Sequence, residues 1–299
     1  MMPDWIAVDW GTSNLRAWAM GPEGILASAA SDDGMGRLAR DQFEPALLAL
    51  IAPWLGAGVV PVIVCGMAGS RQGWFEAPYR VVPCTPLDRA GLVRVPVVDA
   101  RIAVHIAPGL KQTRPADVMR GEETQIAGAL ALHPGFDGVM CLPGTHSKWA
   151  QISAGEVVSF QTFMTGELFA LLSEQSVLRH GMAGKGWDDA AFDSGLSDAL
   201  SRPDRIGAQL FTLRAEGLIA DLPPESARAR LSGLLIGVEL AAAKPYWLGQ
   251  PVTLIGTEAL CHSYARALSA QGVTARILPD TECTLAGLAS LARQLETQA

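Results

Sequence analysis

Three short stretches combine residue types that handle phosphate. In IAVDWGTSNLRAW, residues 6–18, an apolar run ends in Asp9, turns through Gly11, Thr12 and Ser13, and resumes with Arg16. A turn of small residues presents backbone N–H groups to phosphate oxygens, and glycine permits the close approach because it has no Cβ. Asp9 is the type of ligand that holds hydrated Mg2+, which keeps several waters and takes one or two protein carboxylates. Arg16 can aim its guanidinium at the same phosphates. A second Gly-Thr turn, Gly144, Thr145 and His146, lies in CLPGTHSKW. Two such turns can grip one polyphosphate from opposite sides. Taken alone, the first stretch is equally a β-hairpin with a surface arginine. Neither turn is a Walker A loop, since GxxxxGK[ST] does not occur.

In MRGEETQIAGAL, Gly121 precedes Glu122 and Glu123 and an apolar helical pattern. The helix macrodipole favours acids in a first turn in any protein. At a ligand site, such a carboxylate can accept the proton of a hydroxyl as its oxygen attacks phosphorus. In TLIGTEALCHSYARAL, a strand runs into Gly256 and a helix capped by Thr257, a junction where a flat purine can lie against the backbone. In CGMAGSRQGWFEAPYR, a Gly-rich loop carries Arg71, Gln72 and Trp74, a mixture that suits a small anionic ligand or an ordinary surface loop. The five histidines have no metal-ligand spacing, and no GxSxG elbow is present.

The elements that must position these residues follow from periodicity and punctuation. Strands are expected at 5–10, 14–20, 25–30 and 61–65, with another in RIAVHIAPG and a helix at 41–55. The pattern then restarts: helix 121–133, strand 138–142, and a hairpin of 147–153 with 156–160. Helices at 166–179, 187–200, 204–217 and 225–243 follow, then strand 252–255, helix 257–271, strand 274–278 and a closing helix at 284–296. WGTSNLRAWAMGPEGIL and PGTHSKWAQISAGEVV both run from a Gly-Thr turn into a strand bearing Trp18 or Trp149, a glycine turn and a third strand. Halves that open alike point to two like domains whose turns face one cleft.

The 299 residues suffice for two domains, and 49% hydrophobic residues for substantial cores. A net charge of -7 argues against nucleic acid as a partner. Five scattered cysteines suggest neither a disulfide framework nor a zinc site, and fit a reducing cytoplasm; no export signal is visible. Residues 46–70 carry no charge, yet Pro53, Gly56, Gly58 and Pro61 divide them into a helix, a turn and a buried strand rather than a membrane span.

VDWGTSNLR and CLPGTHSK resemble the two phosphate motifs of carbohydrate kinases in the superfamily of sugar kinases, actin and heat-shock chaperones. GEETQIAG stands where those kinases carry a G-D-x-Q or H-D-T-Q stretch whose Asp is the catalytic base; alignment on Thr124 and Gln125 puts Glu123 at that place, a Glu for the usual Asp. LIGTEAL likewise has Gly-Thr where many relatives have Gly-Gly near adenine. More closely, VDWGTSNLRAW, CGMAGSRQGW, MRGEETQIAGAL, LPGTHSKW, FMTGELFALLSEQSVLR and LSGLLIGVELAAAKPYW together resemble the 2-dehydro-3-deoxygalactonokinase family.

The resemblance implies an α/β fold of two RNase H-like domains, an actin-like ATPase fold around an interdomain nucleotide cleft. The first domain would be 1–118, joined by the C-terminal helix 284–299, and the second 119–283. It implies transfer of the ATP γ-phosphate to the C6 hydroxyl of 2-dehydro-3-deoxy-D-galactonate, with ATP and Mg2+ as cofactors. Glu123 and Asp9 would be catalytic, with Asp9 holding the metal. Gly11, Thr12, Ser13, Arg16, Gly144, Thr145 and His146 would bind phosphate, Gly256 and Thr257 adenine, and Arg71, Gln72 and Trp74 the sugar acid. No membrane partner is expected, and a homodimer is one open outcome. A kinase for another sugar acid would keep the ATP motifs and change what Arg71, Gln72 and Trp74 meet. A non-catalytic ATP-binding switch or chaperone would have little use for a carboxylate at 123.

Overall fold

The structure, a computed structural model, describes residues 2–184 and 186–296. Along the chain run β1 (Trp5–Trp10), β2 (Leu15–Gly21), β3 (Gly24–Ser31), α1 (Phe43–Ile51), β4 (Val60–Gly66), β5 (Tyr79–Val81), β6 (Val93–Arg94), β7 (Ile102–Ile106), β8 (Gly109–Thr113), β9 (Ala116–Met119) and α2 (Glu122–Leu132). There follow β10 (Gly138–Leu142), β11 (Ser147–Ser153), β12 (Glu156–Phe163), α3 (Thr165–Glu174), α4 (Asp189–Ser201), α5 (Ile206–Ile219), α6 (Pro224–Ala242) and α7 (Lys244–Trp247). The chain closes with β13 (Val252–Gly256), α8 (Glu258–Ser269), β14 (Ala275–Pro279) and α9 (Asp280–Glu296).

These elements form two compact units. The first comprises the chain up to Asp137, the segment Ile152–Ser159 and the chain from Asp280; the second comprises Gly138–Gln151 and Phe160–Pro279. The expected division at 118/119 lies one helix earlier, because α2 packs on α9 within the first unit. Residues 297–299 of the expected closing stretch lie outside the described residues.

In the first unit the main sheet has the order β3-β2-β1-β4-β7-β6, antiparallel through β1, β2 and β3 and parallel from β1 through β4 to β7. The second unit has the order β12-β11-β10-β13-β14, with β10, β13 and β14 parallel. Each sheet therefore begins in a three-strand meander whose first strand continues into parallel neighbours, the RNase H-like order expected for an actin-like fold. A smaller sheet, β5-β8-β9, was not expected.

Alternation sets the cores. Ile6, Val8 and Trp10 join Phe43, Leu47 and Ile51 of α1 on one face of the first sheet, while Trp5 and Ala7 join Leu288 and Leu291 of α9 on the other. A strand covered on both faces reads as an apolar run, which is why WIAVDW is nearly all apolar. In the second unit Trp149, Phe192, Leu254 and Tyr264 share one core. Residues 46–70 are the end of α1, a turn and β4, and among the described residues no helix is long and apolar enough to cross a membrane.

The α2–α9 crossing depends on small residues. A Cβ at Gly128 would stand 1.7 Å from the Cys283 carbonyl oxygen, and one at Gly287 2.1 Å from that of Thr124. Real atoms do not approach so closely, so any side chain must push the helices apart. Gly128→Ala is expected to lower stability by about 1–3 kcal/mol in urea denaturation, the usual cost of overpacking. Gly207→Ala is the control: it lies in α5 with nothing among the described residues within 4 Å of the added carbon, and should be neutral or stabilising by up to about 1 kcal/mol.

Candidate functional site

Asp9 lies on the same face of β1 as Trp5 and Ala7, the face that α9 covers. Arg16 is its direct partner across the β1–β2 ladder. The guanidinium donates from Nη2 to Asp9 Oδ2 at 2.6 Å, and from Nη1 to Thr281 Oγ1 at 3.2 Å and Asp280 Oδ2 at 3.4 Å. Burial pulls the Arg16 pKa down, but Asp9 and Asp280 outweigh it and leave the pKa above its ordinary value. Asp280 is a site neighbour that sequence reading missed. Its only signal was an acid at a strand exit, in LPDTECT.

Two glycines bring β4 and α2 up to this pair. Gly66 has φ +90°, and a Cβ there would lie 2.6 Å from the Trp10 carbonyl oxygen and 3.4 Å from Asp9 Oδ1. Gly121 has φ +108°, with its Cβ position 3.4 Å from Gly66 Cα. Both positive φ values favour glycine, and at Gly66 the approach to the Trp10 carbonyl does so as well. The Cys65 thiol donates to Asp9 Oδ1 at 3.8 Å. Burial pushes its pKa well up, and the nearby charges of Asp9 and Glu123 add to the rise.

Glu123 is fully buried at the start of α2, and the Gly121 N–H donates to both its oxygens at 2.9 and 2.8 Å. Burial, and then the charge of Glu122, push its pKa up to about 8. Glu122 is half-buried and accepts the Arg120 N–H at 3.0 Å.

The first Gly-Thr turn is closed by Gly11 N–H donating to the Asn14 carbonyl at 2.9 Å, with Thr12 and Ser13 exposed. The loop 34–36 props it: Met35 and Gly36 donate to the carbonyls of Gly11 and Thr12, and a Cβ at Gly34 would collide with Ser13 at 2.2 Å. In the loop after β4, the Arg71 side chain is 80% exposed and pairs with Glu76 at 3.6 Å, and Gln72 is exposed. Trp74, expected as a flat wall for a ligand, is a core side chain: it is 9% exposed, stacks on Phe43 and meets Trp10 edge-on.

In the second unit, the Gly144–His146 turn rests on the start of α3. Glu167 N–H donates to the Thr145 carbonyl at 2.9 Å, and a Cβ at Gly166 would stand 2.3 Å from the Gly144 carbonyl oxygen. His146 Nε2 pairs with Glu167 Oε2 at 2.6 Å. Gly144 and Thr145 line a cavity of about 440 Å3 together with Thr257. Gly256 does not line it; a Cβ there would lie 3.2 Å from the Pro143 carbonyl oxygen. Sequence reading missed the remaining wall, which includes Phe169, Trp187 and Arg228; the Arg228 guanidinium sits 4.9 Å from the Phe169 ring centroid. Behind the wall, buried Glu239 accepts from Trp149 Nε1 and Tyr264 OH, each at 2.7 Å, and from Thr165 Oγ1. Burial raises its pKa, opposed by these donors. Its signal in the sequence was a lone acid within LSGLLIGVELAA.

Comparison with known proteins adds a family. Residues 9–291 match the family described as 2-keto-3-deoxy-galactonokinase. The chain is 40% identical over 298 residues to a provisionally named 2-dehydro-3-deoxygalactonokinase, DgoK1, of Rhizobium meliloti strain 1021, covering 97% of this chain and 96% of the relative. It is 37% identical over 295 residues to the 2-dehydro-3-deoxygalactonokinase of Escherichia coli strain K12, covering 98% of each. A crystal structure of a candidate 2-dehydro-3-deoxygalactonokinase from Sinorhizobium meliloti superposes with a TM-score of 0.90 at 38% identity, covering 97% of this chain and 99% of that one.

The raised pKa of Glu123 has a consequence for stability. In the unfolded chain this carboxyl ionises near its ordinary value of 4.5, but in the fold it keeps its proton to about 8. Between those values the folded state binds the extra proton, so stability falls as pH rises through the window and levels off above it. Glu123→Gln should flatten the decline in unfolding midpoint between pH 5 and pH 8, measured against the unaltered protein.

Proposed function

Because the chain belongs to the 2-keto-3-deoxy-galactonokinase family, we propose that it transfers the γ-phosphate of ATP to the C6 hydroxyl of 2-dehydro-3-deoxy-D-galactonate. The products are the 6-phosphate and ADP, a step of galactonate catabolism. The observation that carries this reading is the family match over residues 9–291, which takes in Asp9, both Gly-Thr turns and Glu123. The protein is a carbohydrate kinase.

Phosphoryl transfer asks a protein for positioning and for charge stabilisation rather than covalent chemistry. Gly11, Thr12 and Ser13 in one unit, and Gly144, Thr145 and His146 in the other, bind phosphate oxygens. The cavity lined by Thr257, Phe169 and Arg228 takes the adenine, for which an aromatic ring and a guanidinium offer flat faces. Asp9 and Asp280 flank Arg16 with hard carboxylate oxygens, a donor set that fits hydrated Mg2+. When bound, the ion neutralises charge on the phosphates. Arg16, at present paired to both acids, is the cation that can turn to phosphate. Arg71 and Gln72, on the exposed loop after β4, contact the sugar acid, with Trp74 bracing that loop from the core.

Glu123 is the proposed base. It neighbours Asp9 through Cys65, and its pKa of about 8 lies near a working pH, where a base is most effective. Its carboxyl must leave the Gly121 amide to reach a hydroxyl. The greater exposure of Glu122 favours that residue as the alternative acceptor.

ADP release with the galactonate-derived and gluconate-derived keto acids side by side tests the substrate; acceleration by neither would sink the reading. Glu123→Gln should lower kcat by about two to four orders of magnitude while ATP still binds, the span of losing a general base. If Glu122→Gln shows that loss and Glu123→Gln does not, the role moves to Glu122. Asp9→Asn should chiefly damage Mg2+-dependent turnover, and a normal Mg2+ titration in that variant would remove Asp9 from the metal site.

A further inference from the structure

Arg120, between β9 and Gly121, is 8% exposed. Its Nη2 donates to the Ala77 carbonyl at 2.8 Å, and the guanidinium lies 4.3 Å from the Tyr79 ring centroid. Nε and Nη1, which carry more than half of the guanidinium's donors, are buried with no hydrogen-bond partner among the described residues. Ser70, 5% exposed, also has a buried hydroxyl with no partner among the described residues. Gly69, the residue before it, adjoins the same guanidinium: a Cβ there would stand 2.8 Å from Nη1.

A buried cation whose donors are unmet is costly, and a native chain seldom keeps one without a use. The chemistry that would satisfy it is an anion with planar acceptor oxygens, which guanidinium recognises better than any other side chain. We propose that Arg120, with Ser70, receives the carboxylate of the sugar acid. This assignment rests on the kinase reading above and supplies the counter-charge that reading requires. Arg71 is a weaker candidate, being solvated and paired with Glu76. Gly69 and Ser70 belong to the same loop as Arg71 and Gln72, so an acid held by that loop meets Ser70 and Arg120 beneath it. Entry of the carboxylate is therefore coupled to displacement of the loop. At the other side of Gly121, the Glu123 carboxyl is folded onto the Gly121 amide. Binding and proton transfer thus fall to different side chains of one short segment.

The test uses the full chain with the keto acid and its neutral C1 amide, following ADP release. Arg120→Met should raise KM for the acid about 10- to 100-fold, as expected for hydrogen bonds to a charged group. It should leave KM for ATP unchanged and abolish the preference for acid over amide. Arg120→Lys should keep part of the preference, and Ser70→Ala should raise KM for the acid several-fold. The proposal is overturned if folded Arg120→Met still prefers the acid, or if it loses activity equally on both compounds, the mark of a purely structural role. Should Arg120→Met not fold, the lysine and alanine variants decide by the same comparison. Turnover of the acid by the unaltered chain tests the parent reading, whereas only the contrast between acid and amide tests Arg120.

Discussion

Ile6, Val8 and Trp10 of β1 face α1, while Trp5, Ala7 and Asp9 face α9, and much else in the first unit depends on that parity. A slip of one residue would send the strand's single acid into the apolar layer with Phe43 and Leu47. In the observed register Asp9 sits opposite Arg16 and at the beginning of α9, where Asp280 and Thr281 wait. The ladder supplies the pairing, and the twofold period of the strand supplies the direction. The close meeting of Gly66 and Gly121 then adds Glu123 to the same neighbourhood.

Each unit buries a carboxylate, and the two are satisfied differently. Glu239 is met by an indole, a phenol and a hydroxyl, so its environment is a complete polar network within an apolar core. Glu123 has a backbone amide and the Thr124 hydroxyl, with a second acid beside it in sequence. The first arrangement suits a permanent brace behind the cavity wall. The second keeps its proton up to about pH 8, where a base can still take one up and give it back. Burial alone would not separate these two acids; their partners do.

Much of this was legible in the sequence. The two Gly-Thr turns, the meander after each and the parallel strands that follow all appear where periodicity and glycines put them, because both cores need long apolar strands. The sheet β5-β8-β9 was not legible: YRV, GLKQT and ADVM are short and mix polar with apolar residues, leaving no period to read. Trp74 looked like a ligand wall because it stands in a loop, and only the fold reveals Trp10 and Phe43 against it. Arg120 escaped notice since a lone arginine carries no sign of burial. The cavity wall comes from α3, α6 and the approach to α4, elements distant in sequence, so no local spacing could announce it.

Gly34 and Gly166 sit outside the Gly-Thr turns yet touch their backbones more closely than any side chain would allow. The location of each turn is thus referenced to a remote piece of chain, as a gauge block sets a tool. A shortened loop before Met35, or an added residue between β12 and α3, would move a turn whose own sequence had not changed. The motifs that identify such turns in a sequence are therefore incomplete descriptions of them, because part of each turn's specification is written some twenty residues downstream.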